Sequence, residues 1–451
     1  MEYRTPPVSE AKLRIQPRLI IHGGAGNIQR SNFPPEKYAA YRDALLSIVT
    51  KTQTFMNSSP SSYNEKIKKH PSALDIATHA VVLLEDNPLF NSGHGAVFTR
   101  DGVNELEASV MVSRGLKKRG VGVMGLRRVR NPILLAKRML ERGEEDLAPA
   151  GDDDDDVTGH VKGNDDLDVP SAQGHTQLHG PTAEKLATRY GLPLVDPSYF
   201  FTQQRWDEHI RALEREKSGI PSSATWHADE YLPQGTCGAV ALDAEGVICA
   251  ATSTGGMTNK LTGRIGDTPV VGAGFWAEEW DEDVEEEVFR ADPGISFAGP
   301  LKGLLADCFP TPWMHSPSFE PLQAAATSRS RSVGFSGTGN GDSFLRVNAV
   351  RTVAAIARYR PCPGSLALAK VAGPGGQLQQ SAGDRWGRTG EGEGGIIGLE
   401  CVLERDQDGR VVGARSEVLM EYNCGGMYRA WIDDEGKPVM SIWSNGSADE
   451  L

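Results

Sequence analysis

Residues 236–251, TCGAVALDAEGVICAA, constrain the fold more than any other stretch of this chain. They read as two apolar β segments joined at a Glu245-Gly246 turn. The character changes abruptly there, because residues 212–234 form a polar connector ahead of them. At the junction, Gly235-Thr236-Cys237-Gly238 sets a hydroxyl among small residues. Were the Gly235–Thr236 bond cut, Thr236 would hold both a nucleophile and a free amine able to take its proton. An ordinary β-branched strand start accounts for the same letters, so the neighbours must decide. In a regular strand Cys237 points to the face opposite Thr236, as a core residue does. Thr254 lies just beyond the second segment. Antiparallel pairing would bring its hydroxyl back beside Thr236, where it can orient the nucleophile.

The rest of the chain supplies layers around that hairpin. RLIIHGGAG (18–26) reads as a buried strand entering a tight glycine turn. Residues 36–50, 71–86 and about 129–142 show helical apolar spacing, and a further helix is expected over about 342–359. Residues 95–111 suggest two short strands joined at Asp101-Gly102. The end, 395–449, returns to strands. Residues 146–180 and 363–390 look like irregular insertions, the first acidic and the second rich in Gly and Gln. Strands near both ends with helices between fit a layered fold of helices and sheets.

Composition removes several function classes. The chain has 451 residues, of which 39% are hydrophobic, enough for one large domain or two ordinary ones. Its formal net charge of −13 argues against a nucleic-acid partner. No apolar run is long enough for a membrane span, and the first residues do not resemble a signal peptide, so a cytoplasmic setting is expected. The six cysteines are scattered without paired spacing. The acidic runs Asp152–Asp156 and 276–287 read as solvated surface. No His/Cys spacing suggests catalytic zinc, and His22-Gly23-Gly24-Ala25-Gly26 lacks the glycine spacing of a dinucleotide fingerprint. No cofactor for catalysis is expected.

Three further constellations carry chemistry. Arg264 and Asp267 stand three apart in a glycine-rich loop. A guanidinium fork and a carboxylate could together hold the zwitterionic head of an amino acid, or simply pair with each other. Gly337-Thr338-Gly339-Asn340-Gly341-Asp342 precedes the expected helix, and its backbone donors at Thr338 and Gly339 could line an oxyanion hole. The compact loop LEDNPLFNSGHG (84–95) could offer backbone carbonyls to a hard cation such as sodium, or be a plain turn.

Taken in order, IIHGGAG (20–26), LEDNPLFNSGHGAVFTRDG (84–102), ELEASVM (105–111), GTCGAVALD (235–243), ATSTGGMTNKLTGRIGDTPVVGAG (251–274), GTGNGD (337–342) and NCGGMYRA (423–430) resemble the isoaspartyl peptidase/L-asparaginases, the plant-type asparaginases among the N-terminal-nucleophile hydrolases. The resemblance implies an α+β fold, a four-layer αββα sandwich with long irregular insertions. It implies a precursor cut between Gly235 and Thr236 into an α chain (1–235) and a β chain (236–451) that form one domain, and a dimer of such αβ units. Thr236 would be the nucleophile, assisted by Thr254. Arg264 would bind the substrate carboxylate, Asp267 and Gly341 its amine, and Thr338 and Gly339 the oxyanion. Main-chain carbonyls of Leu84, Glu85, Asn87, Phe90, Ser92 and His94 would hold a structural sodium. The substrate would be small: L-asparagine or an isoaspartyl dipeptide.

Some features depart from the family pattern. Cys237 stands where many relatives carry Val, and the insertions lengthen the chain. Glycosylasparaginase is a rival that Gly255-Gly256 disfavours, and a threonine aspartase is one that Asp267 disfavours. An uncleaved interaction scaffold is the non-enzyme alternative, against which the retained Thr236, Thr254, Arg264 and Asp267 argue.

Overall fold

A computed structural model of the chain describes residues 15–58, 70–148, 167, 171–217, 235–282 and 328–443. Two compact units divide the chain. Among the described residues, the smaller comprises 280–282, 328–331 and 402–415, and within it Arg329 pairs with Glu404 at 2.9 Å. The larger comprises Ile15–Glu279, Ser332–Cys401 and Ser416–Leu451, and contains every candidate site residue.

The 236–251 segment is the hairpin its pattern implies. Strand β5 (Cys237–Leu242) pairs antiparallel with β6 (Ile248–Thr254), in the register Cys237↔Ser253 to Leu242↔Ile248. On either side lie β1 (Arg18–Gly26) and β2 (Leu106–Val112). Beyond them come β3 (Gly120–Leu126) and β4 (Gln177–His179) on one flank, and β11 (Gly426–Ile432) and β12 (Pro438–Ser441) on the other. A second sheet runs in the order β10 (Val411–Tyr422), β9 (Gly394–Arg405), β8 (Ser328–Gly339), β7 (Phe275–Glu282).

Period-two alternation sorts the side chains of β5. Cys237, Ala239 and Ala241 join Leu19 and Ile21 of β1 in a core built with helices α1 (Pro35–Asn57), α2 (Ala73–Glu85) and α3 (Pro132–Asp146). The other face meets the second sheet. Gly334 of β8 has no room for a Cβ, because Ile248 fills that space and Val240 Cγ1 would be 3.3 Å away. Helices α6 (Gly341–Val347), α7 (Ala349–Tyr359) and α8 (Gly364–Ala372) cover the far side of the second sheet, with Phe344 against Gly337 and Gly364 against Leu419. The result is a mixed α+β fold with two sheets flanked by helices, as the resemblance implies. Among the described residues, no helix is long and apolar enough to cross a membrane.

Several local expectations need correction. The helix expected over 342–359 is two helices, because Asn348 adopts the left-handed φ of 48°. Arg351, early in α7, gives its N–H to the Gly272 carbonyl at 2.8 Å, so tertiary contact sets the break. The supposedly irregular 363–390 holds α8 and α9 (Gln377–Ala382). Its glycines and glutamines hide an apolar stripe of Ala367, Leu368, Val371 and Ala372, all buried. Residues 95–99 are not a strand: Thr99 makes only an isolated bridge to Lys260, although Gly102 does turn with φ +73°. The connector expected at 212–234 begins as the end of α5 (Gln203–Lys217), and residues 218–234 lie outside the described residues. The 146–180 insertion ends in β4 and the start of α4 (Gly180–Arg189), while Asp152–Asp156 lies outside the described residues. The acidic run from Trp276 starts inside β7, where Glu278 is buried and pairs with Arg351 at 3.2 Å and Arg358 at 2.8 Å.

Candidate active site

Thr236 is buried immediately before β5. Extending the β5–β6 register by one residue sets Thr236 opposite Thr254, as the hairpin pattern required. Thr254 is also buried, and its Oγ1 accepts the Gly256 N–H at 3.0 Å. A third hydroxyl was not foreseen. Thr268 Oγ1 lies 3.3 Å from Thr236 Oγ1, close enough to fix its rotamer. Thr268 follows Asp267 in GRIGDTP, and that adjacency was its only signal in the sequence.

The bond before Thr236 sits in a cramped place. A Cβ on Gly24 would come within 2.8 Å of Gly235 Cα, and a Cβ on Gly235 would overlap Gly24 outright. The glycines of HGGAG therefore let two backbones touch, which is one physical reason for glycine at both positions. The next residue, Ala25, gives its N–H to Thr338 Oγ1 at 3.3 Å, linking β1 to the end of β8. Gly339 has φ +149°, and a Cβ there would be 2.5 Å from Gly394 Cα.

The Arg264–Asp267 pair is built differently. A Cβ on Gly341 would come within 2.6 Å of Asp267 Oδ1 and 3.1 Å of Arg264 Nη2, so Arg264, Asp267 and Gly341 do converge. Arg264 donates to Asp342 Oδ1 at 3.0 Å, and the Asp342 side chain is 60% exposed, so the pairing is a weak, exchangeable one. Asp267 is buried, and its Oδ2 has no hydrogen-bond partner. Burial pushes its carboxyl up to about 7, while Arg264 acts against the shift.

Two carboxylates of the ELEASVM motif hold this loop. Glu107 accepts the Gly266 N–H at 3.1 and 3.3 Å, and Glu105 accepts the Gly263 N–H at 2.7 Å. Lys260, itself buried, donates to the Glu105 carbonyl at 2.9 Å and lies 3.9 Å from Glu107. Their only sequence signal was two acids in an otherwise apolar strand.

The 84–95 loop latches the far end of β6. The Asn91 carbonyl accepts the Gly255 N–H, and its side chain donates to the Gly256 carbonyl at 2.7 Å. Ser92 Oγ reaches Ser253 Oγ at 2.7 Å, which in turn donates to Glu85 Oε1 at 2.7 Å. Burial pushes the Glu85 carboxyl up to about 8. The carbonyls of Glu85 and Phe90 fill the space a Cβ would need on Gly93 and Gly95, so main-chain oxygens crowd together here. Those of Asn87, Phe90 and Ser92 each already accept one backbone N–H, leaving one lone pair apiece, while that of Leu84 accepts the N–H groups of both Asp86 and Asn87, and His94 Nδ1 bonds the Tyr199 carbonyl. Among the described residues, no cluster of His, Cys, Asp and Glu side chains is arranged to hold a metal.

The Asparaginase family model matches residues 15–148 and 168–281, more than half of the chain. The chain belongs to the asparaginase family. The isoaspartyl peptidase of Escherichia coli (strain K12) is 31% identical over 425 residues, covering 94% of this chain and 95% of its own length. A plant-type L-asparaginase of Pyrococcus furiosus is 33% identical over 264 residues, covering 58% of this chain and 70% of its own. A putative isoaspartyl peptidase/L-asparaginase of Dictyostelium discoideum is 33% identical over 287 residues. Within this asparaginase-family chain Cys237 is a core residue on the helix side of β5, where burial pushes its thiol well up and leaves it unfit as a nucleophile.

Proposed function

We propose that the chain is a self-cleaving threonine hydrolase of β-aspartyl amides, acting on L-asparagine or isoaspartyl dipeptides. The observation that carries this reading is the buried Thr236 hydroxyl at 3.3 Å from Thr268, opposite Thr254 in register and next to a glycine pressed against Gly24. Thr236 Oγ1 attacks the Gly235 carbonyl, the acyl group moves from nitrogen to oxygen, and water hydrolyses the ester. This frees the Thr236 α-amine. In the mature enzyme that amine takes the hydroxyl proton as Oγ1 attacks the substrate side-chain carbonyl. Thr338 and Gly339 stabilise the oxyanion, and Thr254 and Thr268 orient Oγ1. The amine returns its proton to the departing ammonia or amino acid, and water releases aspartate.

Arg264 takes the substrate α-carboxylate, which replaces the exposed Asp342 on the same fork. Asp267, assisted by Gly341, receives the substrate ammonium. A cation there favours the charged form of this carboxyl, whose Oδ2 has no hydrogen-bond partner and whose burial raises it to about 7. The carbonyl-rich turn from Leu84 to His94 suits a sodium ion, whose charge would stiffen the loop that latches β6. The α and β chains stay together as one domain, and αβ units pair. Sequencing the new N-terminus and comparing L-asparagine, isoaspartyl dipeptides, glycosylasparagine and an Asp-containing protein tests the reading. Cleavage at Thr236 with aspartate released from either of the first two is expected. Complete cleavage with activity only on the other two would overturn it.

A further inference from the structure

Beneath the nucleophile lies a second polar layer that the reaction itself does not use. His22, Ser336 and Thr252 are all fully buried, and they come from β1, β8 and β6, strands of two different sheets. His22 Nε2 lies 2.7 Å from Ser336 Oγ, and Ser336 Oγ lies 2.8 Å from Thr252 Oγ1. A Cβ on Gly238 would overlap both Ser336 Oγ and His22 Nε2, so glycine at this point of β5 makes room for the chain of bonds.

Each member sits two residues from a site residue, and within regular strand that spacing keeps Ser336 with Thr338 and Thr252 with Thr254 on one face. Ser336 precedes Thr338, Thr252 precedes Thr254, and Gly238 follows Thr236. His22 precedes Gly24, the residue pressed on Gly235, across a register irregularity in β1. We propose that His22, Ser336 and Thr252 are positioning residues. Their hydrogen-bonded floor sets how far β1, β6 and β8 slide past one another, and so places Thr254, Thr338 and the Gly235–Thr236 bond. The proposal rests on reading Thr236 as the nucleophile.

The physical case is one of directionality. Apolar side chains would fill the same gap between sheets, but dispersion contacts tolerate sliding, whereas a hydrogen bond weakens steeply when bent. Polar groups in an apolar layer are costly unless satisfied; here His22 Nε2 and the two hydroxyls bond one another, while His22 Nδ1 has no hydrogen-bond partner. Burial holds the His22 ring down to about 3, opposed only in part by the Thr236 backbone. The imidazole is therefore neutral at working pH and keeps one donor and one acceptor, so the floor holds one bonding pattern across the neutral range.

The test compares Thr252→Val, which keeps shape and loses the hydroxyl, with Thr252→Ser, which keeps the hydroxyl, and adds Ser336→Ala. The rate of self-cleavage, kcat and KM on an isoaspartyl dipeptide, and Tm are measured for each and for the native chain. Thr252→Val and Ser336→Ala are expected to slow cleavage and kcat by about ten- to a hundredfold with KM little changed, because the head-group clamp stands outside these strands. Thr252→Ser is expected to restore both rates. Should Ser336→Ala fail to fold, the two Thr252 variants carry the comparison. Native activity with an unaffected Thr252→Val, or with Thr252→Ser as impaired as Thr252→Val, overturns the positioning role alone. A native chain that neither cuts itself nor releases aspartate overturns the functional reading, and the proposal with it.

Discussion

The proposed nucleophile and the proposed head-group clamp are made of opposite materials. Around the Gly235–Thr236 bond stand hydroxyls, glycines and backbone, with no charged side chain among the contacts described: Thr268, Thr254 and Gly24. Around Arg264 and Asp267 stand charges: Asp342, Glu107, Glu105 and Lys260. The first region sits on strand ends between two sheets. The second is a loop whose shape depends on buried carboxylates gripping its N–H groups. A neutral, tightly packed setting suits a hydroxyl whose proton must leave and return. A charged loop suits recognition of a zwitterion, and can exchange one carboxylate for another.

Four substitutions can break or sharpen this contrast. Thr236→Ala removes the nucleophile and should leave a single uncut chain with activity lowered by roughly 10⁴-fold or more; a denaturing gel and an aspartate assay report it. Two fragments from that variant would end the case for Thr236. Gly235→Ala puts a methyl on Gly24, so self-cleavage should slow by about ten- to a hundredfold. Chains that do mature should show native kcat, because Gly235 is not part of the β chain's nucleophile; a lowered kcat there would show that the crowding at Gly24 acts on the mature site as well.

Arg264→Leu belongs to the other region. Loss of a charge-assisted contact worth roughly 2–3 kcal/mol should raise KM by about 30- to 150-fold and leave self-cleavage intact. Slowed fragment appearance would show that the two regions are coupled. The smallest effect is a stability change at Asp267. Burial raises its folded carboxyl from 3.8 to about 7, so between those values the folded state keeps a proton that the unfolded chain has lost. Native stability therefore falls as pH rises through that window, and the cost is complete above it. Asp267→Asn should raise Tm by about 2–4 °C at pH 8 and by almost nothing at pH 4, as thermal melts would show. An equal gain at both pH values would mean packing, not charge, limits this site.

The two regions also differed in how far they could be read from the residues alone. The 236–251 segment yielded its hairpin and the facing of Thr236 and Thr254, because a short turn and a period-two pattern fix register locally. The same reasoning turned Cys237 away from the site. It failed over 363–390, where glycines and glutamines masked α8 and α9, and over 342–359, where a contact with Gly272 imposed the break at Asn348. It found Arg264 and Asp267 but passed over Glu105 and Glu107, whose grip on Gly263 and Gly266 spans more than 150 residues of sequence.

By itself, then, the sequence determined the strand hairpin, the candidate nucleophile and the residue types of the clamp, since each is written in neighbours a few positions apart. Tertiary structure decided which hydroxyl stands 3.3 Å from Thr236, which glycine presses on Gly235, and what the strands rest upon. Gly24 reaches Gly235 only when β1 pairs with β5, Thr268 reaches Thr236 only from a separate loop, and the His22–Ser336–Thr252 floor forms only when two sheets stack; no local periodicity encodes such long-range distances.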